Sequence, residues 1–232
     1  MNPLILALDT DDLDIACSWI EATNGSIRTY KAGLEFFLSF GSEGIAKLRT
    51  AGDFDLFLDL KLHDIPHTVA GATSAVAHIN PKFLTVHASG GAAMIASAVA
   101  AAPAIDITAV TILTSLDAPA LEQIGFASSP MESAVNLAQL AVKAGAKAIV
   151  SSPHEVRAIR ENVGTQVAII TPGVRPAGSA LGDQSRVMTP RDAIAAGSTY
   201  LVIGRPITSL HHEGGDAMRN RAQEILDEAT SA

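Results

Sequence analysis

The segment "FLDLKLHDIPHT", residues 57–68, places Asp59, Lys61 and Asp64 within six residues, with His63 and His67 alongside. Side chains alternate along a strand, so Asp59 and Lys61 share one face while Leu58, Leu60 and Leu62 occupy the other. The leucine face suits packing against helices. The charged face must then point to a place where charge is useful, because buried charge is costly unless paired. An Asp–Lys–Asp order, with Lys31 "YKAG" nearby, offers alternating signs that can pair. Such a lysine can act as a general acid and can stabilise negative charge developing at a reacting centre. The competing reading is a closed ion-pair network without chemistry.

A second constellation suits an anion. "TPGVRP" and "IGRP" each put a glycine beside an arginine. Gly173 and Gly204 allow close backbone approach, and Arg175 and Arg205 supply bidentate donors, so a phosphate is expected there. The competing reading is two ordinary glycine turns with surface arginines. The seven histidines show no metal-ligand spacing, and no metal site is expected. His63 and His67 are four apart, but Pro66 stands between them. His87 could line the site or serve as a satisfied structural histidine. No nucleophile elbow, Walker loop or dinucleotide fingerprint is present.

The elements that must position these residues alternate. Apolar runs cover residues 4–9, 27–33, 54–62, 83–88, 107–113, 148–152, 167–173 and 200–204, and helix-like segments separate them. The first such segment, "DDLDIACSWIEAT", carries acids in its first turn. The segment from Ser129 has Glu132 three residues on and a stop at Gly145. "TPRDAIAAGS" has Thr189 as a cap, Pro190 in the first turn and Gly197 at the end. The C-terminal "DAMRNRAQEILDEAT" is amphipathic. Strict alternation implies a parallel sheet covered by helices, and eight units fit one (β/α)8 barrel spanning residues 1–232. A doubly wound open sheet is the alternative. Candidate residues fall at the carboxyl ends of different runs, where such barrels build their sites: Asp9, Lys31, Asp59, Lys61, Thr114, Arg175, Gly204 and Arg205. The longest stretch without regular pattern is 173–188, and long loops in compact domains are usually functional.

Composition narrows the class further. The chain has 232 residues, one cysteine and a net charge of −8. A lone Cys17 forbids an internal disulfide and reads as a small buried hydrophobe. The acidic balance, with no basic stripe, argues against nucleic acid as a partner. The start lacks a basic region and meets Asp9 early, so no signal peptide is expected. Residues 83–105 carry no Asp, Glu, Lys or Arg but contain glycine, proline, serine and much alanine. They read as a buried strand and an Ala-rich helix rather than a membrane span of about 20 apolar residues. A soluble, cytoplasmic protein is expected.

"DLKLHDIPHT" closely resembles the Asp-x-Lys-x-x-Asp-Ile-Pro signature of the orotidine 5′-phosphate decarboxylase family. "LALD", "YKAGLEFF", "TILTS", "TPGVRPAGSALGDQSRVMTP" and "VIGRPI" resemble that family in the same order, over residues 4–208. The resemblance implies a (β/α)8 barrel that decarboxylates orotidine 5′-phosphate to UMP in de novo pyrimidine biosynthesis, without cofactor and usually as a homodimer. It implies that Lys61 donates a proton to C6 of the pyrimidine, with Asp59 beside the substrate carboxylate. Asp64 would reach the neighbouring subunit's site and complete a Lys31–Asp59–Lys61–Asp64 tetrad. Asp9, Lys31 and Thr68 would hold the ribose, Thr114 and Ser115 the pyrimidine, and Ile65 would join the substrate-binding set. Gln184 would bridge base and phosphate, with Arg175, Gly204 and Arg205 near the phosphate. The "PAGSALGDQ" segment suits a mobile lid. A related barrel enzyme, 3-hexulose-6-phosphate synthase, shares the Asp-x-Lys-x-x-Asp core but uses a metal ion. A non-catalytic phosphate-binding barrel is a further alternative.

Overall fold

The computed structural model describes residues 2–176 and 188–231. Its strands are β1 (Leu4–Ala7), β2 (Thr29–Gly33), β3 (Asp55–Leu62), β4 (Phe83–His87), β5 (Asp106–Val110), β6 (Ala148–Val150), β7 (Ala168–Thr171) and β8 (Tyr200–Ile203). All neighbours are parallel. Strand β8 also pairs with β1, with Leu4 opposite Leu201, so the sheet closes into a barrel and is not an open doubly wound sheet.

Helices α1 (Leu13–Thr23), α2 (Leu34–Leu48), α3 (Pro66–Ala77) and α4 (Gly91–Ala101) follow the first four strands. Helices α5 (Ala118–Gln123) and α6 (Pro130–Lys143) both follow β5, and α7 (Val156–Val163) follows β6. Helix α8 (Pro190–Ala196) precedes β8, and α9 (Arg205–Thr208) and α10 (Gly215–Thr230) come after it. Their ends have local causes. The Asp12 carboxylate accepts from the backbone of Asp14 and Ile15 and starts α1. Ser129 and Glu132 form a reciprocal capping box on α6. Thr189 caps α8, Pro190 opens it, and left-handed Gly197 closes it. Residues 83–105 divide into β4 and α4, which buries Met94, Ile95 and Ala98. Among the described residues, no helix is long and apolar enough to cross a membrane.

The regular strands are shorter than several of the apolar runs. Beyond β5 and β6, single bonds continue the contact: Thr111 N donates to Val150 O at 3.2 Å and Ser151 N to Ile170 O at 3.2 Å. These bonds carry the strand contact one residue past each ladder, toward the mouth.

Two apolar shells follow from period-two alternation. Leu4, Leu6, Leu56 and Leu58 belong to the large outer core. Ile5, Phe57, Phe83, Ala148, Ile170 and Tyr200 form a separate inner cluster. The Phe57 and Phe83 rings meet edge-on at 5.8 Å, and Phe83 and Tyr200 at 5.4 Å. This inner layer fills the barrel, so its interior is a packed core and not a pore. The parity that turns Phe57 inward also turns Asp59 inward, and Asp59 and Lys61 both line the space above this layer.

Candidate active site

Above the inner layer lies a cavity of about 340 Å³. Phe57, Val110, Val150 and Val202 give it an apolar base. Asp9, Lys31, Asp59 and Lys61 line one side, and Arg175, Gly204 and Arg205 also face it. Because β7, β8, β1, β2 and β3 are consecutive neighbours in the barrel, these groups form an unbroken arc around the mouth. Thr114 joins the lining from the segment after β5.

The charged groups pair in a chain. Lys31 Nζ lies 3.1 Å from Asp9 Oδ1 and 3.6 Å from Asp59 Oδ2. Lys61 Nζ donates to Asp59 Oδ1 at 2.9 Å. The side chains of Lys31 and Asp59 are each only 12% exposed, whereas that of Asp9 is 64% exposed. Asp59 is thus the buried hub. Burial pushes its carboxyl up, but the ammonium groups of Lys31 and Lys61 and the hydrogen bonds from Lys61 and Thr85 outweigh it and hold the carboxyl below its ordinary value. Burial pulls Lys31 down, and Asp59 and Asp9 together more than reverse it, so Lys31 is held above the usual lysine value. Both shifts keep the pair ionised.

Two residues that the motifs did not single out make this geometry possible. Gly33 is the first. A side chain there would begin 3.2 Å from Lys31 Nζ and 3.7 Å from Asp9 Oδ1, so glycine leaves the space in which the ammonium reaches both carboxylates. Thr85 on β4 is the second. Its hydroxyl donates to Asp59 Oδ1 at 3.0 Å and accepts from Lys61 N at 2.7 Å. The only sequence signal was a threonine within the apolar run "FLTVHA", which strand propensity alone explains.

On the anion side, Gly173 has φ +75°, a conformation that favours glycine, and its backbone lines the cavity between Pro172 and Arg175. The Arg175 backbone N–H donates to Met188 O at 3.0 Å, which ties the two borders of residues 177–187 together.

Other expected site residues lie apart from this lining. Asp64 is exposed and its carboxylate accepts from Ile65 N at 2.6 Å. Ile65 is 65% exposed, and Thr68 and Ser115 are exposed as well. Gln184 and most of the lid-like segment fall outside the described residues. His87 is half-buried with its ring 5.4 Å from that of His63. Burial pushes its pKa down, assisted by His63 and Lys61. His63 precedes α3 and His67 lies in its first turn, so the two do not share a helical face.

Fold and site define a class: a (β/α)8 barrel with a buried lysine–aspartate cluster and an arginine-bearing rim at the carboxyl ends of its strands. Within that class, the chain belongs to the orotidine 5′-phosphate decarboxylase / HUMPS family, whose model matches residues 2–217. It is 52% identical over 215 residues to an orotidine 5′-phosphate decarboxylase of Thermobifida fusca, covering 93% of this chain and 92% of that one. A protein of the same name from Frankia casuarinae is 46% identical over 229 residues, covering 91% and 84%. The crystal structure of orotidine 5′-phosphate decarboxylase from Lactobacillus acidophilus superposes with a TM-score of 0.85 at 34% identity, covering all of both chains. The family resemblance read from the motifs is borne out.

Proposed function

We propose that this protein decarboxylates orotidine 5′-phosphate to UMP and CO2 in pyrimidine synthesis, with Lys61 as proton donor to C6. The observation that carries the reading is the Lys61 ammonium, held 2.9 Å from a buried carboxylate in the cavity that Arg175 and Arg205 also line. The names and family of the relatives support the same substrate.

In this reading the phosphate lies near Arg175, Gly204 and Arg205, and Gln184 bridges base and phosphate. Asp9, Lys31 and Thr68 hold the ribose. Thr114 and Ser115 meet the pyrimidine, and Ile65 belongs to the substrate-binding set. The bond from C6 to the carboxylate carbon breaks, CO2 leaves neutral, and the electron pair remains on C6. A proton from Lys61 Nζ then forms the new C6–H bond, and the lysine regains a proton from solvent. Asp59 repels the substrate carboxylate, and that repulsion vanishes as CO2 departs. Two unit charges about 4 Å apart interact by roughly 4 kcal/mol at an effective dielectric near 20. Enzymes lower barriers by about 8–23 kcal/mol, so repulsion alone is insufficient. Stabilisation of the carbanion by Lys61 and binding energy from the remote phosphate supply the rest. The protein acts as a single-barrel homodimer in which Asp64 serves the neighbouring subunit's site, which accounts for an aspartate of the signature that is exposed here and outside the cavity lining.

The test is direct absorbance at the orotidine band with and without a chelator. Conversion to UMP that is indifferent to chelator is the expected result. No conversion would refute the reading, and chelator-sensitive turnover of a sugar phosphate would favour the metal-dependent relative.

A further inference from the structure

Strand β3 leaves its regular pairing with β4 at the point where the chemistry is placed. Leu58 stands opposite Leu84, but Leu62 stands opposite Val86, so four steps along β3 match two along β4. Lys61 sits inside this irregularity with φ +50°, a region a lysine seldom adopts. A bulge of this kind re-aims a side chain but removes the ladder partner of a backbone N–H. Thr85 takes that place: its buried Oγ1 accepts the Lys61 N–H at 2.7 Å. The hydroxyl has one proton to give, and it goes to Asp59 Oδ1 at 3.0 Å. The same carboxylate oxygen receives Lys61 Nζ at 2.9 Å. One hydroxyl therefore ties the backbone of Lys61 to the carboxylate that holds its ammonium.

We propose that Thr85 is a positioning residue for the reaction, its hydroxyl locking the bulged backbone at Lys61 and the Asp59 carboxylate into one rigid unit. This rests on the decarboxylase reading for its kinetic consequence but not for its geometry. Thr85 stands behind Asp59 and Lys61, so its loss misdirects the reacting groups without touching the phosphate side. A small misplacement of reacting groups costs up to about 10²-fold in rate.

The experiment compares Thr85→Val, which keeps the shape, with Thr85→Ser, which keeps the hydroxyl. Two readouts are taken: kcat and KM on orotidine 5′-phosphate, and the carbon-13 titration of the Asp59 carboxyl in the free protein. Thr85→Val should lower kcat by about 10²-fold with KM nearly unchanged. It should also move the Asp59 titration upward, because one donor to the carboxylate is gone. Thr85→Ser should restore both. Unchanged kcat in Thr85→Val, or a Ser variant as impaired as the Val variant, would overturn the proposal. If the wild type shows no turnover, the function reading fails, while an Asp59 titration that does not move in Thr85→Val still rejects the role of Thr85 and one that moves still supports it. Should Thr85→Val not fold, Thr85→Ala supplies the same two readouts.

Discussion

Both ends of this barrel carry lysine–carboxylate pairs, and they differ in what surrounds them. At the amino ends of the strands, Lys82 meets Asp55 at 2.7 Å and Lys147 meets Asp106 at 3.3 Å. Each is a pair between neighbouring strands with side chains a third to a half exposed. Lys82 also lies 5.5 and 5.7 Å from the centroids of the Phe83 and Tyr200 rings, closing the floor below the inner aromatic layer. At the carboxyl ends, Asp59 is shared by two lysines and a threonine and is nearly sealed from water. Floor pairs of this exposure contribute about 0–1 kcal/mol each. A buried cluster costs desolvation that its pairing only roughly offsets, so stability alone does not account for it. The lesson is that distance does not separate a structural pair from a reactive one; Lys61 and Asp59, at 2.9 Å, fall between the two floor pairs. Burial, sharing of one carboxylate and an adjoining cavity do.

Among variants that keep Lys61, breaking the hub of the mouth should have the largest effect. Asp59→Ala leaves two ammonium groups facing each other and is expected to lower turnover by about 10²–10³-fold. Urea unfolding should show a loss of about 3–5 kcal/mol, the usual consequence of removing one partner from a buried charge pair. Next comes the rim. Arg205→Ala removes a charged hydrogen bond of about 1.5–3 kcal/mol, so kcat/KM on the phosphorylated substrate should fall by about 10–100-fold. A phosphate-free analogue should react at nearly the wild-type rate, and equal losses on both would argue against a phosphate at this rim.

The third effect is in acid. Asp59 titrates below its ordinary value when folded, so its contribution to stability is present above the unfolded carboxylate value of about pH 4 and is lost as pH falls through the lowered one. The unfolding free energies of wild type and Asp59→Ala should converge there. A gap that persists would mean the Asp59 side chain stabilises by packing. The smallest effect belongs to the floor. Asp55→Asn should cost about 0–1 kcal/mol in unfolding and leave kcat unchanged. A floor variant with the kinetic defect of Asp59→Ala would erase the contrast between the two ends.

Much of the mouth was legible because its information is local. Apolar runs separated by capped helices give a barrel, and period two puts Asp59 on the face that Phe57 starts, while Lys61 reaches the same cavity from within the irregular turn of β3. The capping pairs at Ser129 and Thr189 were readable for the same reason. What escaped is non-local. Thr85 acquires its role only because β3 slips against β4 between Leu58 and Leu62, and no spacing within either strand encodes that slip. Gly33 matters because Lys31 reaches past it toward Asp9, two residues beyond the end of β1. The floor pairs were missed too: Lys82 sits one residue before its strand, and its partner Asp55 opens another. Asp64, Ile65, Thr68 and Ser115 were placed by family signature, and in the single chain they lie outside the cavity lining.

The most direct measurement is orotidine 5′-phosphate turnover by Lys61→Ala beside Lys82→Ala, each checked for its fold by thermal unfolding. Folded Lys61→Ala should show no detectable decarboxylation, and Lys82→Ala should decarboxylate at nearly the wild-type rate. Substantial turnover by Lys61→Ala would contradict Lys61 as the proton donor.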